Sequence, residues 1–180
     1  VAVPGPLPER NVLAVSACTR ALTGLGQVRL PRDTTSGHQI ERATAPTLSG
    51  LRAIGDRLAI RTRHHDPRVH HAHRPADRPA SDLFDLVELG RLDAIGVQWL
   101  TGVAKNLMAP PGAENDGVRW AAFEAFSGHS APREKTTLVS DVKAGLKTRL
   151  CTALVELAVL YKDQERFAVA AAAWSRAAGA

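Results

Sequence analysis

The sequence predicts an all-α protein: an irregular bundle of about five to six helices around a long central helix, with a Gly/Pro-rich loop near residues 23–45. Three observations carry that expectation. The longest proline-free apolar stretch, Asp82–Met108, places Leu83, Val87, Ala94, Val97, Leu100, Ala104 and Leu107 at steps of three and four, with a gap at Gly90. Aromatic residues make up only 4 % of the chain, so a core has to come from Leu, Val, Ile and Ala, a set that suits helices better than sheets. The other apolar segments repeat the same spacing.

Taken in order, Val1–Pro8 holds three prolines and reads as a flexible leader, followed by a single helical domain over residues 9–180. Val12, Leu13, Ala17, Ala21 and Leu22 give a first amphipathic helix. Thr23–Ala45 is irregular, with Gln27–Leu30 as a short strand ended by Pro31. A second helix is expected from Pro46, a suitable first-turn residue, to about Arg63. Asp66-Pro67 reads as a cap and first-turn proline opening a short helix through His73. Pro75 and Pro79 then separate it from the central helix, with Asp77 or Ser81 as cap. Gly90, Gly96 and Gly102 point to a neighbour packed close to that helix, or to a bend near Gly102. Beyond Ala109–Gly117, Val118–Phe126 forms a short helix. Glu134–Tyr161 forms a long one with a weak point at Gly145. Asp163 caps a last helix bearing Phe167, Ala170, Ala171 and Trp174.

The net charge of +5 is modest and scattered, and without a basic run a nucleic-acid-binding domain is only a second alternative. No apolar run reaches membrane-spanning length and no signal pattern opens the chain, so no membrane role is expected. Cys18 and Cys151 read as two reduced thiols of a cytoplasmic protein.

Five of the seven histidines fall in His64-His65-Asp66-Pro67-Arg68-Val69-His70-His71-Ala72-His73. Imidazole is the commonest transition-metal ligand, but a site needs three or four converging groups. On a helix from Pro67, His70 and His73 share a face, His71 points elsewhere, and Asp66 joins His70 by the i, i+4 relation. That makes three ligands at best, against the plainer reading of a polar surface turn. No metal site is assigned; His64, His65, His70 and His73 are the candidates, and a small metal-binding or metal-delivery protein is the first alternative function. Glu88 and Arg91 can pair across one helical turn, but no nucleophile stands beside them. Gly-x-Ser-x-Gly, His-Glu-x-x-His and the phosphate loop are all absent, so no catalytic or cofactor-binding residue is assigned. Trp99, Trp120 and Trp174 read as packing residues.

Four blocks, in order, resemble the N-terminal region of the T subunit of aerobic cobaltochelatase, the CobT family. They are Gly24-Leu25-Gly26-Gln27-Val28-Arg29-Leu30-Pro31; Leu58-Ala59-Ile60-Arg61 with His64-His65-Asp66-Pro67 and His70; Glu88-x-x-Arg91-x-x-Ala94-Ile95-Gly96 with Gly102-Val103-Ala104-x-Asn106-Leu107; and Asp163-Gln164-x-x-Phe167-Ala168. The third carries most weight. The sequence departs from the pattern at Leu89-Gly90, where the family tends to have Gln-Ala. The acidic linker and C-terminal integrin-type metal-binding domain of the full subunit are not in this chain, which reads as an excerpt or as a truncated or degenerate copy. The resemblance implies a non-catalytic subunit that docks on a AAA+ ATPase and, with it, drives a large chelatase subunit inserting cobalt into a corrin ring. Cobalt and ATP/Mg²⁺ then belong to the whole complex. It implies structural or docking roles for Asp66, Glu88, Arg91, Gly96, Gly102, Asn106, Asp163, Gln164 and Phe167.

Overall fold

The computed structural model describes residues 7–27, 47–108, 116–146 and 148–179, with the backbone alone for 148–150. The expected strand at Gln27–Leu30 and the expected first-turn Pro46 fall largely outside these residues. The described residues form nine α-helices and no strand, more than the five to six expected, because two long patterns are each broken and the short Pro67–His73 segment stands as a helix of its own. These are α1 (Glu9–Thr23), α2 (Leu48–His64), α3 (Pro67–His73), α4 (Arg78–Trp99), α5 (Thr101–Leu107), α6 (Gly117–Ser127), α7 (Thr136–Gly145), α8 (Thr148–Glu156) and α9 (Gln164–Gly179). Short 3₁₀ turns cover Arg133–Lys135 and Leu157–Val159.

Side chains set the helix starts. Thr47 caps α2 by accepting from the Gly50 N–H, Asp66 caps α3 through the Arg68 N–H, and Asp77 caps α4 through the Ala80 N–H. Pro79 therefore lies inside the first turn of α4, where a missing N–H costs nothing, rather than in the linker before it. Asp163 accepts from the Arg166 N–H at 3.2 Å, as expected of the cap of α9.

The expected central helix over Asp82–Met108 is two helices. α4 ends at Trp99, Leu100 is extended with φ −145° and ψ 131°, and α5 restarts at Thr101. Leu100 belongs to the connection and is 42 % exposed, so it leaves the stripe. The break lets α5 turn onto α2, where Asn106 Nδ2 donates to Asp56 Oδ2 at 2.6 Å and Arg57 reaches the Leu107 carbonyl. The long helix expected over Glu134–Tyr161 ends as α7 at Gly145, resumes as α8, and tightens into the second 3₁₀ turn.

α4 is the hub and packs against α2, α5, α6 and α9, while α1 lies on α2. It is buried nearly all round, which blurs its single-stripe pattern. Phe84, Val87, Leu92, Ala94 and Val97 share one core with Trp120, Phe123, Phe126, Phe167, Ala171 and Trp174. Phe126 meets Phe167 edge to face at 5.5 Å. Trp120 and Trp174 are packing residues as expected. A smaller cluster under α1 joins Val15 to Leu51.

Asp56 is buried at the α2–α5 contact. Burial pushes its carboxyl above the ordinary 3.8, and the Asn106 amide with Arg52 and Arg57 offsets this only in part. The folded state therefore holds the Asp56 proton more tightly than the unfolded chain. This group favours folding at low pH, and that advantage is lost as pH rises through the raised value. Asp56→Asn keeps an acceptor for Asn106 and removes the charge. It is expected to melt above the parent at pH 7, with the gap shrinking on acidification; calorimetric melts at several pH values check this.

Candidate functional site

The histidine-rich turn lies where α2 ends and α3 begins, beside α4 and the start of α9. At its centre is Arg91, 1 % exposed, one turn beyond Glu88 at 4 %. Its Nε donates to Glu88 Oε2 and its Nη2 to Oε1, each at 2.7 Å. Nη2 also donates to the His64 carbonyl at 2.6 Å and Nη1 to the Tyr161 carbonyl at 3.1 Å. The guanidinium lies 5.5 Å from the centroid of the Phe167 ring. One planar fork thus joins the end of α2, the middle of α4 and the approach to α9, a use for which lysine has the wrong shape.

Glu88 is held from a second side by His65, whose Nδ1 lies 2.7 Å from Oε1. Burial alone pushes the Glu88 carboxyl up, but hydrogen bonds and charge from Arg91 and His65 outweigh it and leave the group below its ordinary range. The His70 ring packs at a tilt between the rings of His65, at 5.0 Å, and Phe84, at 4.9 Å. Its Nε2 lies 2.9 Å from Asp85 Oδ1, while its Nδ1 is buried with no hydrogen-bond partner. Arg74 grips the same carboxylate through Nε and Nη2. Burial raises Asp85, yet His70 and Arg74 bring its pKa down to about 2. An ionised Asp85 only accepts, so the hydrogen between them sits on His70 Nε2, and in the neutral ring Nδ1 keeps a lone pair.

The remaining histidines separate from this group. His64 packs edge-on against Trp99 at 5.6 Å. Burial, then Arg91 and Arg63, lower its pKa, so its ring is neutral at pH 7. His71 is exposed, and His73 turns outward to Glu165 at 2.7 Å. Asp66 is occupied as the α3 cap, and its backbone N–H and carbonyl clasp the Gln164 side-chain amide at 2.7 and 3.0 Å. The set Asp66, His70 and His73 considered from helical spacing is therefore not brought together. What does converge is His65, His70 and Glu88, whose ligand-type atoms all lie within 4.8 Å of one another. Spacing along one helix cannot find that set, because each member sits on a different element.

The residues implied by the resemblance fall into two places. Asp66, Glu88, Arg91, Gln164 and Phe167 meet at this junction, whereas Asn106 and Gly96 lie at the packing of α2 with α4 and α5. Gly102 lies apart from both, with no atom outside its own helix within 4 Å of the position of a β-carbon among the described residues. Beside the junction is a cleft of about 640 Å³, lined by residues that include Arg63, His65, Arg68, Arg91 and Lys162. Sequence reasoning missed Asp85 and the buried α4–α6 charges, where Asp93 pairs with Arg119 at 2.6 Å. Arg57, Arg74, Arg91, Arg119, Lys135 and Lys143 each face a carboxylate. Cys18 is exposed and Cys151 half-buried, both free thiols. Among the described residues no helix is long and apolar enough to cross a membrane.

No solved structure matches the chain. The family model for the cobalamin biosynthesis protein CobT matches residues 13–116, a span that begins in α1 and contains α2 to α5 with His65, His70, Glu88 and Arg91. With more than half its length inside that match, the chain belongs to the CobT family of cobalamin biosynthesis proteins.

Proposed function

We propose that this chain is a non-catalytic partner domain of an ATP-dependent cobaltochelatase complex. It docks on a AAA+ ATPase subunit, and that pair drives a large chelatase subunit that inserts cobalt into a corrin ring. Family membership is the observation that carries the reading. The junction chemistry is consistent with it. Glu88 is spent on Arg91 and His65, and Arg91 on Glu88 and two backbone carbonyls, leaving neither as a ready acid or oxyanion donor. In this reading residues 9–180 act as one helical body behind a leader of residues 1–8, and work in the cytoplasm. Nucleotide and cobalt are handled at the level of the complex.

The test is a pull-down of the purified ATPase subunit on the immobilised chain, without nucleotide, with ADP and with a non-hydrolysable ATP analogue. Retention in at least one state is expected, with no ATP hydrolysis by the chain alone. Failure to form a complex in every nucleotide state overturns the reading.

A further inference from the structure

We propose that His65, His70 and Glu88 form a binding site for one divalent first-row transition metal of the zinc and cobalt class. Three groups of suitable chemistry, two imidazoles and a carboxylate, come from the α2–α3 turn, α3 and α4 and have ligand-type atoms within 4.8 Å of one another. Around a tetrahedral ion with bonds of 2.0–2.1 Å, ligand atoms lie about 3.3 Å apart, so ordinary side-chain rotation closes the set. His₂Glu with one open position suits zinc and cobalt, whereas magnesium and calcium take oxygen ligands.

A second observation points to the same centre. His70 Nδ1 is buried and has no hydrogen-bond partner, while Nε2 of the same ring faces Asp85. A purely structural histidine would gain by satisfying both nitrogens. Here the Asp85 carboxylate accepts from Nε2 and keeps the proton on that nitrogen, which leaves the buried Nδ1 lone pair available to an ion, the outer-shell arrangement that raises a ligand's basicity. Arg74 fixes Asp85, and Arg91 fixes the orientation of Glu88 and keeps it ionised. On binding, His65 exchanges its Nδ1 hydrogen bond to Glu88 for the shared ion, its proton moving to the other ring nitrogen or to solvent. The ion would pin α3 to α4 at the edge of the cationic cleft.

The experiment uses the tag-free 180-residue chain, titrated calorimetrically with Zn²⁺ and, in parallel, with Co²⁺ followed by its visible absorption. The expected result is one ion per chain at micromolar affinity or tighter, intense Co²⁺ ligand-field bands, and a melting temperature that rises with Zn²⁺. His70→Ala and His65→Gln, the latter keeping a donor toward Glu88, are expected to abolish binding. Asp85→Asn should weaken it about 10–100-fold. His71→Ala and His73→Ala should leave it unchanged. No heat beyond dilution and no shift in melting temperature for the parent chain overturn the proposal without reference to any variant. So does binding that survives His70→Ala, or that is lost equally in His71→Ala, which would mark an unspecific surface cluster. Metal-free melts show which variants are folded.

Discussion

Arg91→Ala should cost about 3–5 kcal/mol of folding stability, read as a lower urea midpoint by tryptophan fluorescence. The loss has three parts. Glu88, 4 % exposed, keeps its charge with only His65 beside it. The carbonyls of His64 and Tyr161 lose a donor, and the guanidinium no longer covers the Phe167 ring. Glu88→Gln with Arg91→Met removes both charges together and should recover much of the loss, because breaking a buried pair costs more than deleting it. A single Arg91→Ala chain that unfolds within about 0.5 kcal/mol of the parent would refute this account of the junction.

Gly90→Ala is the second large effect, about 2 kcal/mol of destabilisation, although alanine is the better helix former by about 1 kcal/mol. A β-carbon there would lie 2.6 Å from the Arg119 carbonyl oxygen and 2.7 Å from the Ala122 β-carbon. Both atoms are fixed to the backbone of α6, so the two helices would have to separate. Gly96→Ala is the control. Its β-carbon meets side-chain atoms of the buried Ile60 and Leu107 rather than backbone, so side chains shift instead of helices and the propensity gain offsets part of the crowding. Its urea midpoint should fall by less than that of Gly90→Ala. Equal losses at the two positions would show that close backbone approach does not set the α4–α6 spacing.

The contrast also shows how far the sequence can be read. Asp66-Pro67 and Asp77 reveal the starts of α3 and α4, since a cap acts within three residues of itself. Gly90, Gly96 and Gly102 announced a close neighbour or a bend, but not that Gly90 faces backbone, that Gly96 faces side chains, or that Gly102, in α5, has no atom of another element close to it among the described residues. The break at Leu100 carries no proline and no side-chain cap. It serves α5, which must reach Asp56 on α2, and a continuous helix would carry those residues onward at about 1.5 Å each. At the site, helical spacing linked His70 to residues on its own element, whereas its partners Asp85 and His65 lie 15 and 5 positions away across turns. Glu88 was legible as half of a pair with Arg91. That it is buried, and that His65 shares it, follow only from the way three elements cross.

The clasp between Asp66 and Gln164 joins positions 98 residues apart. Closing so long a loop costs entropy before any contact repays it, so this junction is expected to close late in folding. During synthesis α4 leaves the ribosome well before Tyr161 and Phe167, with its arginine still lacking two of its partners. The nascent N-terminal half therefore exposes a charged hub that waits for the C-terminal helix. Removal of α9 should abolish native protection of the α4 amides in hydrogen exchange rather than loosen the end of the chain alone. In the order of assembly, the last helix completes the middle of the protein.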